Sequence, residues 1–299
     1  MKNTISRNIL AKTIEKIDGA YSPATIRAYK TNFERFINFC DGKNAIAISA
    51  NEAVITSYIL HLIKENLKSA SIRIAIASIS AIHRLNQYDD PTTHPNVKLE
   101  MRRMHRNLGR ESKQAAGINY KLLKKMLKTT DYSLKGLRDK ALLLTAYDSM
   151  CRRSELISLS IDDAIIDQEN QSVRIKLRRS KTDQDGLGRW LYLSNEAQSA
   201  VLKWLEVSQI ESGKLFRGIT RGNIASKSLS SAQVNRIFKS AALNSRVNMS
   251  IVRGISGHSM RVGAAQDLLI SGASLPMIMQ RGRWSKADTV MRYIENTSF

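Results

Sequence analysis

The stretch SGHSMRVGAAQDLLISGASLPMIMQRGRWSKADTVMRY, residues 256–293, decides how the rest of this chain is interpreted. His258 and Arg261 are three residues apart, so they share one face if the segment is helical. An apolar pattern of helical spacing follows them, then a Ser-Gly turn, then a second apolar run. A chain of this kind can bring His258 and Arg261 to the same place as Trp284 and Tyr293.

These four residue types suit chemistry at a phosphate group. A histidine can transfer protons, and an arginine can hold a phosphate with two parallel donors. An indole N–H adds a third donor, and a tyrosine oxygen can act as a nucleophile. A lone His-x-x-Arg pair is too common to define a site, so the pattern gains meaning only together with residues upstream.

Composition points to a polyanionic partner. The 299 residues are enough for two domains of ordinary size. Lysine and arginine total 47 against 26 acidic residues, which gives a net charge of +21 and a pI near 10.1. That balance favours nucleic acid first and a membrane surface second, while the alternative is a protein that merely happens to be basic.

The sequence argues against several other classes of protein. Cys40 and Cys151 are far apart, which fits neither a disulfide framework nor a Cys-x-x-Cys metal site. No apolar run reaches about 18 residues, so we expect no membrane span, and the N-terminus lacks a signal-peptide core. Neither a phosphate-binding GxxxxGK[ST] loop nor an HExxH motif is present. We therefore expect a cytoplasmic protein with no metal and no cofactor.

The first part of the chain predicts an all-helical module. Residues 1–20 are expected to be a flexible lead, and residues 21–108 a DNA-binding domain of amphipathic helices. Ser22 and Pro23 form a good N-cap and first turn, and residues 69–85 carry isoleucines at helical spacing. Five basic residues on these helices are predicted to contact DNA phosphates, with a solvated helix face as the alternative: Arg73, Arg84, Arg102, Arg103 and Arg106.

The second part predicts a different architecture. Residues 109–117 are polar and short and are expected to be the linker to a domain over residues 118–299. Helical patterns dominate there, but residues 172–177 alternate apolar and charged side chains as a strand does, and residues 190–193 are their expected partner. The fold class is therefore mainly α with a small β-hairpin or sheet in the C-terminal domain, and the two basic domains are expected to clamp a duplex.

Three strings, HSMRVGAA, IMQRGRW and TVMRYI, resemble the tyrosine recombinase (phage integrase) family. The general pattern of most of residues 117–296 is similar to that of the family, and the matching residues are concentrated over residues 257–294. Upstream, residues 152–156 (RRSEL) match the context of the family's first catalytic arginine, although an arginine beside a glutamate can also be a structural ion pair. The opening string SPATIRAYKTNFERFINFC resembles the first helix of the family's core-binding domain. Trp284 departs from the commonest pattern, in which histidine occupies that position.

The resemblance implies a catalytic set, in chain order: Arg152, Lys181, His258, Arg261, Trp284 and the nucleophile Tyr293. The two arginines would hold the non-bridging oxygens of the scissile phosphate as planar two-donor groups, helped by the indole N–H. Lys181, in the loop of the predicted hairpin, would protonate the leaving 5′ oxygen.

Two roles remain open from the sequence. His258 would either accept the proton of Tyr293 or hydrogen-bond the phosphate. Glu155 is expected to orient His258 or one of the arginines from behind.

The reaction implied by the resemblance is site-specific recombination of DNA. Two successive transesterifications would pass through a 3′-phosphotyrosine and would need no energy input. The expected partner is double-stranded DNA with a specific recombination site, bound by a homotetramer. The alternatives are a type IB topoisomerase, which shares the chemistry, and a non-catalytic DNA-binding regulator.

Overall fold

The computed structural model describes residues 3–110, 114–167, 169–178 and 187–295, and the chain divides into two compact units between residues 113 and 114. The first unit is helical, and the second combines helices with one three-stranded antiparallel sheet. This arrangement confirms the predicted fold class, mainly α with a small sheet in the C-terminal part. Among the described residues, no helix combines the length and the apolar character that a membrane span requires.

The described part of the first unit contains five α-helices: α1 Thr4–Lys16, α2 Pro23–Gly42, α3 Glu52–Lys64, α4 Ser69–Leu85 and α5 Pro95–Leu108. The predicted Ser22 cap forms, because its hydroxyl accepts a hydrogen bond from the Thr25 backbone N–H, and Asn51 caps α3 in the same way by accepting one from the Val54 backbone N–H. Aromatic and aliphatic side chains of α2, α3 and α4 make the core, in which Phe36 packs against Tyr58 with ring centroids 5.0 Å apart.

The N-terminal segment differs from expectation. The expectation that residues 1–20 form a flexible lead is wrong for α1, because this segment is a helix whose Leu10 side chain lies in the core of the first unit. The fully buried Asn3 side chain donates to the Ala45 carbonyl at 3.0 Å and accepts from the Ala47 N–H at 2.8 Å. These contacts span more than 40 residues of sequence, so the local polar composition of the segment gave no sign of them.

The helices of the second unit are α6 Tyr120–Leu127, α7 Leu134–Ser149, α8 Arg153–Leu156, α9 Asn195–Ser208, α10 Ser231–Asn244, α11 Met249–Gly254, α12 Ser259–Ile270, α13 Leu275–Gly282 and α14 Ala287–Ile294. A large apolar core packs α6, α7, α9 and α10 against the sheet. Trp204 lies at its centre, and its indole N–H donates to the Leu215 carbonyl at 2.9 Å.

The sheet has the order β1–β2–β3, formed by Ala164–Asp167, Ser172–Leu177 and Arg189–Trp190. Both pairs are antiparallel, with Ile166 opposite Val173 and Lys176 opposite Trp190. The β2 strand has the predicted bounds, whereas β3 is shorter than the expected partner strand. The β1 strand is not predicted by its sequence, because the AIID segment shows no alternation of apolar and polar residues.

A second, smaller apolar cluster lies apart from the main core of this unit. Its buried members are Met150, Ala264, Ala265, Ile278, Trp284, Val290 and Ile294. The cluster joins the end of α7 to α12, α13 and α14. It therefore holds together the elements that carry the residues of the 256–293 stretch.

Candidate active site

The turn between α7 and α8 presents Arg152. Met150 ends α7 in the left-handed conformation (φ 50°), and Arg152 is the N-cap residue of the short helix α8. Glu155 accepts two hydrogen bonds from Arg152, one from its backbone N–H at 2.9 Å and one from its guanidinium at 2.6 Å. The carboxylate of Glu155 thereby fixes the direction in which the arginine side chain leaves the turn.

Glu155 is buried but ionised. Burial alone would raise its pKa, but the hydrogen bonds and charge of Arg152 and the charge of Arg283 outweigh that effect and hold the pKa below its usual value. Of the two predicted alternatives, orienting His258 or an arginine, these contacts support the arginine.

Arg261 is buried beside this turn, and the described residues leave one of its donor groups without a partner. Only 1% of the residue is exposed. One of its guanidinium nitrogens, Nη1, donates to the Met150 carbonyl at 2.7 Å, and the guanidinium lies 4.1 Å from the centre of the Trp284 ring. The other terminal nitrogen, Nη2, is buried and finds no hydrogen-bond partner among the described residues. Burial, with the charges of Arg152 and Arg283, lowers the pKa of Arg261 to about 10, so it stays charged at neutral pH.

His258 stands at the start of α12, immediately before the buried face of the helix. Its side chain is exposed to solvent on one side. Partial desolvation lowers its pKa first, and the positive charges of Arg261, Arg153 and Arg152 add to the effect. The neutral imidazole, which can accept a proton, is therefore the favoured form near pH 7.

Trp284 and Tyr293 reach the same place from the turn after α13 and from α14. Trp284 is 7% exposed, and its ring centroid lies 5.6 Å from that of Tyr293. Gly282 makes room for the indole, because a Cβ at that position would come within 1.9 Å of the ring. The Tyr293 carbonyl accepts a hydrogen bond from the Gln266 side chain at 3.2 Å, which ties α14 to α12.

The structure adds one residue that the sequence analysis missed, Arg283. It is 9% exposed and donates to the Ser149 carbonyl at 2.8 Å, to Cys151 Sγ at 3.4 Å and to Glu155 at 3.2 Å. It lies inside the quoted stretch, directly before Trp284, but its partners are 128 to 134 residues away in sequence. No local signal could have found it.

The structure thus brings five of the six predicted catalytic residues to one face of the second unit: Arg152, His258, Arg261, Trp284 and Tyr293. The sixth, Lys181, lies outside the described residues. Across the described ranges, no group of three or more histidine, cysteine or acidic side chains is arranged to hold a metal ion.

The predicted DNA contacts of the first unit are all exposed. Two of them meet acidic neighbours, Arg103 at 3.0 Å from Glu100 and Arg84 at 3.7 Å from Asp90. The pKa of His105 on α5 is lowered mainly by desolvation, then by the charge of Arg110 and then by that of Arg73, so Arg73 lies near this histidine. Arg102 and Arg106 complete the set. Exposure leaves these side chains available to a phosphate backbone.

Comparison with known proteins identifies the class to which this fold and site belong. Residues 118–298 match the phage integrase family, and residues 9–90 match the phage integrase N-terminal SAM-like domain. The chain therefore belongs to the phage integrase family and is an enzyme of the tyrosine site-specific recombinase class, as its sequence predicts.

Particular relatives agree with this class. The recombinase Cre of Escherichia phage P1 is 26% identical over 294 residues, covering 93% of this chain and 85% of its own. A homologue of the integrase/recombinase XerD from Selenomonas ruminantium is 26% identical over 295 residues, covering 95% of this chain and 85% of its own. The resemblance to Cre extends to most of the length of both chains.

Solved structures share the fold. The XerH site-specific recombinase, in a post-cleavage complex with its palindromic difH substrate, superposes with a TM-score of 0.63 at 18% identity, covering 97% of this chain and 81% of that one. The Tn1549 transposon integrase, in complex with a circular intermediate DNA, gives a TM-score of 0.64 at 15% identity, covering 98% and 95%. At these identities the likeness is one of fold.

Proposed function

We propose that this chain cuts and rejoins DNA strands at specific sites through a 3′-phosphotyrosine formed on Tyr293. One observation carries the proposal: a buried arginine, Arg261, lies against Trp284 with a donor that has no partner among the described residues, and Trp284 packs on the ring of Tyr293. A buried donor without a partner is costly, and an oxygen of a bound phosphate would satisfy it.

The first chemical step would form a bond from the Tyr293 oxygen to a backbone phosphorus and break the bond from that phosphorus to the 5′ oxygen. The tyrosine proton would pass to a base, for which neutral His258 is suited by its lowered pKa. The leaving 5′ oxygen would take a proton from Lys181. Arg152 and Arg261 would balance the charge that grows on the non-bridging oxygens.

The second step would reverse the first on a new strand. A 5′-hydroxyl from the partner DNA would attack the phosphotyrosine, restoring a phosphodiester and the free tyrosine. Each step exchanges one phosphoester for another, so neither ATP nor another energy source is required. The positive charges of the site come from arginines of the chain itself, which is why we propose a reaction independent of metal ions.

The proposed partner is a DNA duplex with a specific recombination site. The charge of +21 and the exposed arginines of the first unit support it. The helical domain over residues 21–108 and the catalytic domain over residues 118–299, joined by residues 109–117, would clamp the duplex. A homotetramer would bind two such DNA sites at once. We propose that it acts in the cytoplasm, in association with the nucleoid.

Covalent trapping tests the proposal. The DNA site would be selected from a random duplex library by binding and rebuilt as a suicide substrate, nicked so that the cleaved fragment diffuses away. The wild-type chain should become linked to the DNA, and Tyr293→Phe should bind it but form no covalent product, because only the nucleophile is lost. The matched control is Tyr132→Phe, since Tyr132 is 95% exposed.

Three results would contradict the proposal. Cross-linking by Tyr293→Phe would mean that another residue is the nucleophile. Relaxation of a supercoiled plasmid that lacks the selected site would favour the type IB topoisomerase alternative. Binding without any covalent product from the wild-type chain would favour the non-catalytic regulator.

A further inference from the structure

We propose that Arg283 is a positioning residue of the recombination site: it clamps the turn that carries Trp284, and through it the Tyr293 helix, onto the α7–α8 turn that carries Arg152. The inference rests on the proposed function and adds a residue to it. Arg283 contacts none of the reacting atoms in this scheme, so it would act through the groups that do.

The contacts of Arg283 form a three-point clamp. Its terminal nitrogens reach the last carbonyl of α7 (Ser149, 2.8 Å), the sulfur of Cys151 (3.4 Å) and the carboxylate of Glu155 (3.2 Å). These three partners bracket Arg152, which Glu155 holds from its other carboxylate oxygen at 2.6 Å. Glu155 therefore joins the two arginines, and any movement of Arg283 is passed on to Arg152.

The backbone of Arg283 has an unfavourable conformation, and the contacts of its guanidinium offset that conformational cost. The residue has φ 56°, in the left-handed region that glycine adopts freely and that side chains with a Cβ disfavour. Its Trp284 neighbour donates its backbone N–H to the Met279 carbonyl at 2.9 Å, which closes the end of α13. A strained conformation of this kind persists where surrounding contacts determine it, and here those contacts are made by the guanidinium.

Charge provides a second argument. Arg152 and Arg283 contact the carboxylate of Glu155, and Arg261 is close enough to interact with it electrostatically, so these four side chains carry a net charge of about +2 before DNA arrives. Arg283 also keeps its Nε buried, with no acceptor for it in the described part of the chain. A phosphodiester carries one negative charge and the phosphorane that forms from it carries two. The third arginine therefore favours the transition state over the bound substrate.

Substitutions at Arg283 can separate these two contributions. Arg283→Lys keeps the positive charge but loses the forked contacts of the guanidinium. Arg283→Met loses both the charge and the contacts. Arg283→Gly also loses both, but it removes the strain of the left-handed backbone conformation. Arg246→Met is the matched control, because Arg246 has the same φ of 56° and is exposed. Each variant would be tested as the full chain for DNA affinity and for single-turnover cleavage of the suicide substrate.

We expect Arg283→Met and Arg283→Gly to cleave about 100-fold more slowly with DNA affinity within about twofold, because misplacing a reacting group by about 1 Å costs that much. Arg283→Lys should fall between them and the wild type, and Arg246→Met should match the wild type. If Arg283→Met fails to fold, Arg283→Gly still removes the guanidinium from a relaxed backbone.

The pKa of Glu155 gives a readout that a merely structural role of Arg283 would not move. Glu155 faces Arg152, Arg283, Arg261, His258 and the Cys151 thiol. Its pKa is held down against burial partly by Arg283, so losing that charge raises the pKa. The titration of the Glu155 carboxyl, followed by carbon-13 NMR, should therefore move to higher pH in Arg283→Met and Arg283→Gly, and stay in place in Arg283→Lys.

Cleavage by Arg283→Met and Arg283→Gly within about twofold of the wild type would overturn the inference, since a positioning group must cost more when removed. So would an unshifted Glu155 titration in both neutral variants, or an equal loss in Arg246→Met. The proposed function is judged separately, because it depends on the covalent product of the wild-type chain and on its absence in Tyr293→Phe.

Discussion

Replacing Gly263 by alanine should lower both stability and cleavage. Gly263 is in α12, two residues after Arg261. A Cβ there would lie 2.0 Å from the Ile118 carbonyl oxygen and 2.6 Å from the Asn119 nitrogen. Ordinary contact begins near 3.4 Å, so α12 and the 118–119 segment would have to separate by about 1.4 Å.

That separation cannot be achieved by rotating a side chain, because the neighbouring atoms belong to the backbone. The segment is also fixed to α12 on both sides of the clash. The Ile118 N–H donates to the Ser259 carbonyl at 2.9 Å, and the Tyr120 N–H donates to the Asp267 carboxylate at 2.6 Å. Relief of the clash would have to strain these hydrogen bonds.

The expected magnitude follows from two opposing terms. Alanine in place of glycine in a helix gains about 1 kcal/mol. Overpacking costs about 1–3 kcal/mol and occasionally more, and a clash with backbone belongs at the upper end. The net loss should be about 2 kcal/mol, which for a unit of this size lowers the melting temperature by about 4–8 °C.

The same displacement should disturb catalysis. Arg261 reaches the Met150 carbonyl at 2.7 Å from the first turns of α12. A shift of about 1 Å at a reacting group costs about 100-fold in rate, so cleavage of the suicide substrate should fall by that factor below the melting temperature.

Calorimetry and single-turnover cleavage would measure the two effects on the same protein. Gly42→Ala, at the end of α2, is the control, because a Cβ there meets nothing within 4 Å. It should leave both quantities near the wild-type values. Gly263→Ala with a wild-type melting temperature and a wild-type rate would refute the reasoning.

Three further predictions follow from the proposed chemistry and charge. Lys181→Ala should slow cleavage of ordinary DNA but much less when sulfur replaces the leaving 5′ oxygen, because sulfur needs no proton; equal losses on both substrates would make Lys181 a binding residue. DNA affinity should fall about a thousandfold or more between about 50 and 200 mM salt, and a flat dependence in a filter-binding titration would argue against the clamp. Deleting residues 296–299 (Asn-Thr-Ser-Phe), which lie outside the described residues, should leave the DNA-bound assembly intact in analytical ultracentrifugation, since Phe299 is their one large apolar side chain; loss of the tetramer with unchanged monomer binding would show that this segment docks on the next subunit.

The sequence predicted most of the helices because their signals are local. Ser22 was identified as a cap, and α4 has the predicted bounds of Ser69–Leu85. Those features depend on residues within one or two helical turns, where propensity and periodicity act. The β1 strand depends instead on pairing with β2, and its own residues carry no period-2 pattern.

The candidate site also combines features that local sequence predicts with features that depend on distant parts of the chain. The motif residues were visible as a string, and the family resemblance gave the order in which they occur. The clamp of Arg283 and the burial of the Arg261 guanidinium depend on the α7–α8 turn, more than 100 residues away. An arginine between a glycine and a tryptophan gives no local sign that it is buried, so only the folded chain shows this feature.

The separation of the two apolar clusters in the second unit has a consequence for how the nucleophile moves. Among the described residues, the cluster that holds α13 and α14 has seven buried members, against thirty-four in the main core. Elements held by fewer buried side chains open at lower free energy, as cooperative units within a folded protein. We therefore expect the amide hydrogens of α14 to exchange with deuterium faster than those of α7. In the proposed covalent intermediate, the broken DNA strand would be attached to α14, in the part of the unit that opens more easily than the main core. The attached DNA end could therefore move while the remainder of the unit stays folded.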